Sequence, residues 1–250
     1  MGKTSINLYS VRRLDGSMRE ILERVETAGY EGVQFAGGFR DASPDEVAEQ
    51  VSEFSLAMTP PHIGYTTIKE DFDEIIDTYR DTLGADGVVI PHLDGTHFES
   101  REAVDDTATD LSSLADELSD HEMTLHYHNH AHEFTDLGDE NGFSRFIEAV
   151  DCIGIELDVG WALLGGVDPA AMIRQYGEQI DQLHMKDMDK ASEEYREIGD
   201  GDVDMATCMQ AGYDVGVEWF IYEHDDPDNP AESIDVGASV LNDLRGDRRN

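Results

Sequence analysis

Hydrophobic and polar positions along the chain follow two alternating rhythms. Short β-rich runs recur at 6–11, 32–36, 55–62, 87–93, 124–130, 153–159, 182–186 and 219–224. After each run the apolar residues switch to helical spacing, as at Ile21, Leu22 and Val25. That spacing predicts helices over 18–27, 44–54, 72–83, 103–119, 143–149, 169–176, 205–211 and 231–244. Ser43 before Pro44 and Asp168 before Pro169 read as N-caps, and Gly29, Gly84 and Gly212 as helix stops. Eight strand–helix units of about 31 residues each imply a parallel sheet. An open dinucleotide-binding sheet would want a G-x-G-x-x-G turn after its first strand, whereas this chain has Arg12-Arg13-Leu14-Asp15-Gly16. No linker or shift in composition divides the chain. The expectation is an α/β fold, a single closed (β/α)8 TIM barrel over residues 1–250.

Charge narrows the function. The chain carries 17 Lys and Arg against 56 Asp and Glu, a formal net charge of −39. Binding to nucleic acid or to an anionic membrane needs a basic face, so neither partner is expected. No apolar run reaches the roughly 18 residues of a membrane span, and the first residues lack a secretory stretch. The expected location is the cytoplasm. Cys152 and Cys208, the only cysteines, cannot build a disulfide framework and read as small buried residues. The acids are spread over every polar stretch, and only 4 of the 17 basic residues are Lys. Such a surface resembles those of salt-accumulating halophilic archaea, where the Debye length falls to about 3 Å at molar salt. Halophilic adaptation is therefore expected.

In a barrel of this kind the chemistry gathers at the carboxyl ends of the strands. The fifth run ends in His126-Tyr127-His128-Asn129-His130, the sixth in Glu156-Leu157-Asp158, the seventh in His184-Met185-Lys186-Asp187 and the eighth in Glu223-His224-Asp225. His128 to Asp158 is 30 residues, Asp158 to His184 is 26 and His184 to Glu223 is 39. Each step is close to one unit, so His128, Asp158, His184 and Glu223 can converge on one cation. Two imidazoles and two carboxylates suit Mn²⁺, Co²⁺, Fe²⁺ or Zn²⁺ better than Ca²⁺, with Mn²⁺ the first choice and Mg²⁺ a further option. Lys186 shares a strand face with His184 and is expected to meet substrate hydroxyls or an enolate. His62, His92, Trp161 and Lys190 are expected to contact substrate, and Tyr9 to reach the pocket floor. Asp187, on the opposite face, reads as structural.

Tyr127-His128-Asn129-His130-Ala131-His132-Glu133-Phe134 resembles the Y-H-N-H-x-x-E-F signature of sugar phosphate isomerase/epimerase-type proteins of the xylose isomerase-like barrel superfamily. The resemblance continues through Glu156–Ala162, His184–Asp187, Ile198–Asp204 and Val217–Asp225. It implies one divalent metal held by residues of strands five to eight, with Asp158, His184 and Glu223 on the last three ligand positions. His128 stands where those proteins usually carry Glu, with His130 its competitor, and Gln34 replaces an acid common at the end of strand two. The paired-Glu mechanism of the isomerases and epimerases is thereby weakened. A metal can still acidify a proton beside a carbonyl, with Glu223, Glu133, His130 or metal-bound hydroxide as base.

The implied activity is a metal-dependent isomerase or epimerase acting on a sugar, keto-sugar or cyclitol. A keto-sugar or inosose dehydratase/lyase is the alternative, and a non-catalytic sugar-binding barrel the second. A sparse set of strand-end bases (Arg12, Arg13, Arg40, Lys186 and Lys190) points to an unphosphorylated substrate. A homo-oligomer is compatible with the family.

Overall fold

In the computed structural model, which describes residues 2–246, eight strands close on one another with every pairing parallel. In chain order the strands are β1 (Lys3–Asn7), β2 (Gly32–Ala36), β3 (Ala57–His62), β4 (Gly87–Ile90), β5 (Thr124–His128), β6 (Ile153–Asp158), β7 (Ile180–Met185), β8 (Asp187–Asp189), β9 (Glu194–Arg196) and β10 (Trp219–Tyr222). The barrel runs β1-β2-β3-β4-β5-β6-β7-β10 and returns to β1, while β8 and β9 form a separate antiparallel hairpin. Its helices are α1 (Met18–Ala28), α2 (Pro44–Glu53), α3 (Tyr65–Glu70), α4 (Phe72–Ile75), α5 (Arg101–Ser119), α6 (Gly142–Ala149), α7 (Val159–Leu164), α8 (Pro169–Gln175), α9 (Met205–Val215) and α10 (Pro230–Gly246). The apolar stripe of α1 that periodicity singles out, Ile21, Leu22 and Val25, is buried against the barrel. No helix among the described residues is long and apolar enough to cross a membrane.

Local chemistry explains where the elements begin and end. Ser43 accepts from the Glu46 backbone N–H and Asp168 from that of Ala171, so both caps form as expected. Gly29 and Gly84 end their helices in the left-handed region, at φ 96° and 71°. Gly212 does not: α9 continues past it to Gly216, which takes the left-handed cap at φ 93°. The first strand also differs, because Asn7 accepts from the Tyr9 backbone N–H and turns 8–11 into a 3-10 helix. The single helix expected over 72–83 is α4 followed by a π-helical segment, Ile76–Thr82. Neither α7 nor the hairpin carries enough apolar periodicity to announce itself in sequence. Cys208 is buried as expected, but Cys152 is exposed at the turn before β6.

Candidate active site

Register brings the strand ends into layers. His128 pairs with Glu156 across β5 and β6, and a register shift at Ile155/Glu156 then sets Asp158 opposite His184 across β6 and β7. His184 faces Ile221 of β10, two residues before Glu223. Asn129 locks the β5–β6 step by donating to the Asp158 carbonyl (3.3 Å) and accepting from the Asp158 backbone N–H (2.9 Å). The site is thus fixed by backbone pairing before any side chain meets another.

These layers assemble the four expected metal-capable residues. The nearest donor atoms of His128, Asp158, His184 and Glu223 all lie within 4.8 Å of one another, and all four residues are buried. Asp158 Oδ1 accepts from the Trp161 backbone N–H (2.8 Å), while the buried Oδ2 makes no hydrogen bond and stands 3.3 Å from Lys186 Nζ. A buried carboxylate oxygen with its second lone pairs unused, beside two imidazoles and another carboxylate, fits a divalent cation.

A second cluster lies beneath, and strand periodicity could have found it. Glu156 is two residues before Asp158, on the same face of β6, and is fully buried. Its Oε1 lies 2.6 Å from His62 Nε2, 2.9 Å from His184 Nε2 and 3.2 Å from His128 Nδ1. Its Oε2 accepts from Gln34 Nε2 at 2.6 Å. Sequence reasoning named Glu156 as a strand-end residue but assigned it no role.

Electrostatics follow from these contacts. Burial opposes the His184 cation, but Glu156 and Glu223 outweigh it and raise its pKa to about 10. Burial also opposes Glu156 as an anion, yet the surrounding imidazoles hold it well below the usual carboxylate range. Asp158 is pushed up to about 7 by burial. Burial lowers His128 to about 3 and His130 to about 2, so both are neutral at pH 7. Lys186 stands 2.8 Å from Glu223, 2.9 Å from Asp225 and 3.3 Å from Asp158, which hold it protonated despite near-complete burial.

Above the cluster opens a cavity of about 590 Å³, lined among others by Tyr9, His62, His92, His128, His130, Trp161, Lys186, Tyr195, Glu223 and Asp225. Its wall is aromatic: His130 lies over Trp161 at 5.2 Å, Trp161 meets Tyr195 edge-on at 5.8 Å, and Lys186 Nζ sits 5.2 Å from the Trp161 ring. Tyr195 reaches the cavity from the β8–β9 hairpin and had no signal in the sequence. Gly160 allows the approach of α7, since a Cβ there would stand 2.8 Å from the Lys186 carbonyl oxygen.

Two expected site residues stand elsewhere. Lys190 is exposed on the hairpin turn, does not line the cavity and engages Asp202 only through its backbone N–H. Glu133 is fully buried behind the barrel, accepting from the Tyr127 hydroxyl (2.9 Å) and the His130 backbone N–H (2.8 Å). Tyr127 points outward against Phe143 and Phe146, so Glu133 secures the loop after β5 and is not a base facing substrate. Asp187 is structural as read, accepting from the backbone N–H groups of Met188, Gly199, Gly201 and Val203.

Residues 22–244 match the xylose isomerase-like TIM barrel family. Among curated proteins, the chain is 22% identical over 192 residues to an inosose dehydratase of Geobacillus kaustophilus (strain HTA426), covering 68% of this chain and 61% of the relative's length. Its fold is similar to that of a sugar phosphate isomerase/epimerase from Parabacteroides distasonis ATCC 8503, with a TM-score of 0.78, 22% identity and coverage of 96% and 94% of the two chains. It is similar too to the IolI protein, solved with a bound zinc atom, with a TM-score of 0.78, 18% identity and coverage of 97% of each chain.

Proposed function

The chain belongs to the xylose isomerase-like TIM barrel family, and from that premise we propose that it is a divalent-metal-dependent enzyme removing a proton beside the carbonyl of an unphosphorylated sugar or cyclitol. The observation that carries this reading is the convergence of His128, Asp158, His184 and Glu223, of which His128 and Glu223 line the cavity. These four residues would hold the metal, Mn²⁺ before Co²⁺, Fe²⁺, Zn²⁺ or Mg²⁺. When bound there, it supplies Lewis acidity to a carbonyl oxygen.

The protein's own groups do the rest. Trp161 and Tyr195 offer rings against the apolar face of a sugar, and His62 and His92 line the same cavity. Lys186 places its ammonium beside the oxygen on which charge accumulates. Glu223 and Asp225 are tied to Lys186, and His128 stands over Glu156. Glu223 and His130 both line the cavity, and we assign them the proton, Glu223 first and His130 second. Return of the proton to the neighbouring carbon gives isomerisation, protonation of the same carbon from its opposite face gives epimerisation, and departure of the hydroxyl on the next carbon, with that proton as water, gives dehydration. The similarity to an inosose dehydratase favours keeping the second outcome open.

A phosphate is poorly served here. Arg12 lies over the Tyr9 ring at 3.8 Å, and Arg40 donates to the carbonyls of Val11, Leu14 and Gly16. Lys186, among the described residues the one Lys or Arg lining the cavity, already faces three carboxylates. The deciding experiment measures metal content and turnover on a panel of keto-sugars and inososes. About one equivalent of metal, lost in Glu223→Gln and His128→Ala, supports the reading. Saturable sugar binding with no turnover would replace it with a non-catalytic binding protein. His130→Gln should lower kcat by about 10²–10⁴-fold with metal content unchanged.

A further inference from the structure

A chain of hydrogen bonds with fixed polarity runs from the end of β1 into the floor of the site. Its starting point is a backbone group: Tyr9 N–H donates to Asn7 Oδ1 at 2.8 Å, so Asn7 must present Nδ2 to the barrel interior. Asn7 Nδ2 donates to Gln34 Oε1 at 2.7 Å and faces His62 Nδ1 at 3.4 Å. Gln34 is pinned independently from its other end. Its Nε2 donates to the Pro60 carbonyl (2.9 Å) and to Glu156 Oε2 (2.6 Å), neither of which can donate in return when Glu156 is ionised.

The polarity then reaches the imidazoles. His184 Nε2 lies 2.8 Å from Gln34 Oε1 and 2.9 Å from Glu156 Oε1, two acceptors, so that nitrogen carries hydrogen. His62 accepts on Nδ1 and therefore donates from Nε2 to Glu156 Oε1. His128 lies between Glu156 (Nδ1, 3.2 Å) and Asp158 (Nε2, 3.9 Å) without a hydrogen bond to either, so the relay ends at His62 and His184. We propose that Gln34 and Glu156 are positioning residues: they fix His62 as the Nε2–H tautomer and hold hydrogen on His184 Nε2, so that Nδ1, 3.0 Å from Glu223, is the His184 nitrogen a metal would take. An ionised acid at position 34 would fail at this task, because the position must donate to Glu156 and accept from His184 at once. An amide does both.

The proposal rests on the metal-binding reading, but its first readout does not. Long-range ¹H–¹⁵N spectra of the metal-free protein should show His62 protonated on Nε2 and not on Nδ1. After zinc addition, His184 should coordinate through Nδ1 and keep its Nε2 proton. Glu156→Gln should mix the His62 tautomers and weaken zinc binding, measured against a competing chelator, by about 10–100-fold. Glu156→Asp should recover part of that loss. His62 protonated on Nδ1, or zinc on His184 Nε2, would overturn the proposal. So would zinc affinity within about twofold of wild type in Glu156→Gln. Should Glu156→Gln fail to fold, the wild-type spectra alone decide. Should wild type bind no zinc at all, the metal reading falls, while the metal-free tautomers still decide the relay.

Discussion

Lys186 is only 2% exposed and faces the carboxylates of Asp158, Glu223 and Asp225. Burying an ammonium is tolerable here because three anions share it, and removing it would leave those anions uncompensated. Lys186→Met should therefore destabilise the fold by about 3–5 kcal/mol, read from guanidinium unfolding at high salt. A loss below about 1 kcal/mol would mean that the carboxylates take up protons instead. The two cysteines make a second residue-scale contrast. Burial pushes the Cys208 thiol up to about 12, while Cys152 is exposed. One thiol per chain should react with Ellman's reagent in the native state and two after unfolding; two fast native thiols would contradict the packing of α9. At this scale the metal-capable four were legible because each closes a strand at a regular interval. Glu156 went without a role because its partners, His62, His128 and Gln34, come from three other strands. Glu133 misled because a carboxylate just past a strand end looks catalytic until the outward tyrosine that binds it is seen.

Among elements, the eight barrel strands were readable from period and spacing, but outside β2 and β3 their carboxyl ends were not. The reading ran β5 to His130, whereas pairing stops at His128, because Asn129 leaves the ladder to clamp Asp158. The β8–β9 hairpin was invisible because its residues, Asp187 to Arg196, are mostly polar, although a buried side chain anchors it. Asp187 gathers four backbone N–H groups from that turn and from the 199–203 loop. Gly201 lets the loop close, since a Cβ there would press against the Asp187 carboxylate and stand 2.8 Å from the Met188 carbonyl oxygen. Asp187→Ala should leave those donors without their acceptor, cost about 2–4 kcal/mol and free the hairpin that brings Tyr195 to the cavity. Limited proteolysis near Lys190 should then accelerate, and KM should rise more than kcat falls. Unchanged cleavage would show that the loop is held by other contacts.

For the whole molecule, the charge of −39 sets the conditions under which this barrel is stable. Surface arginines are largely engaged, as Arg19 with Glu53, Arg101 with Asp139 and Glu140, and Arg145 with Asp105, and such exposed pairs contribute at most about 1 kcal/mol each. The remaining acids have no cationic partners in sufficient number. Their mutual repulsion acts on the folded state, where they are closest, more than on the expanded chain. Raising salt from about 0.1 M to about 1 M shortens the Debye length from about 10 Å to about 3 Å and removes most of that repulsion. Tm is therefore expected to climb steeply with KCl over that range. Sucrose, which favours the compact state without screening charge, should raise it far less. A Tm independent of KCl would mean that core packing alone carries the fold, and that the acidic surface serves solubility and not stability.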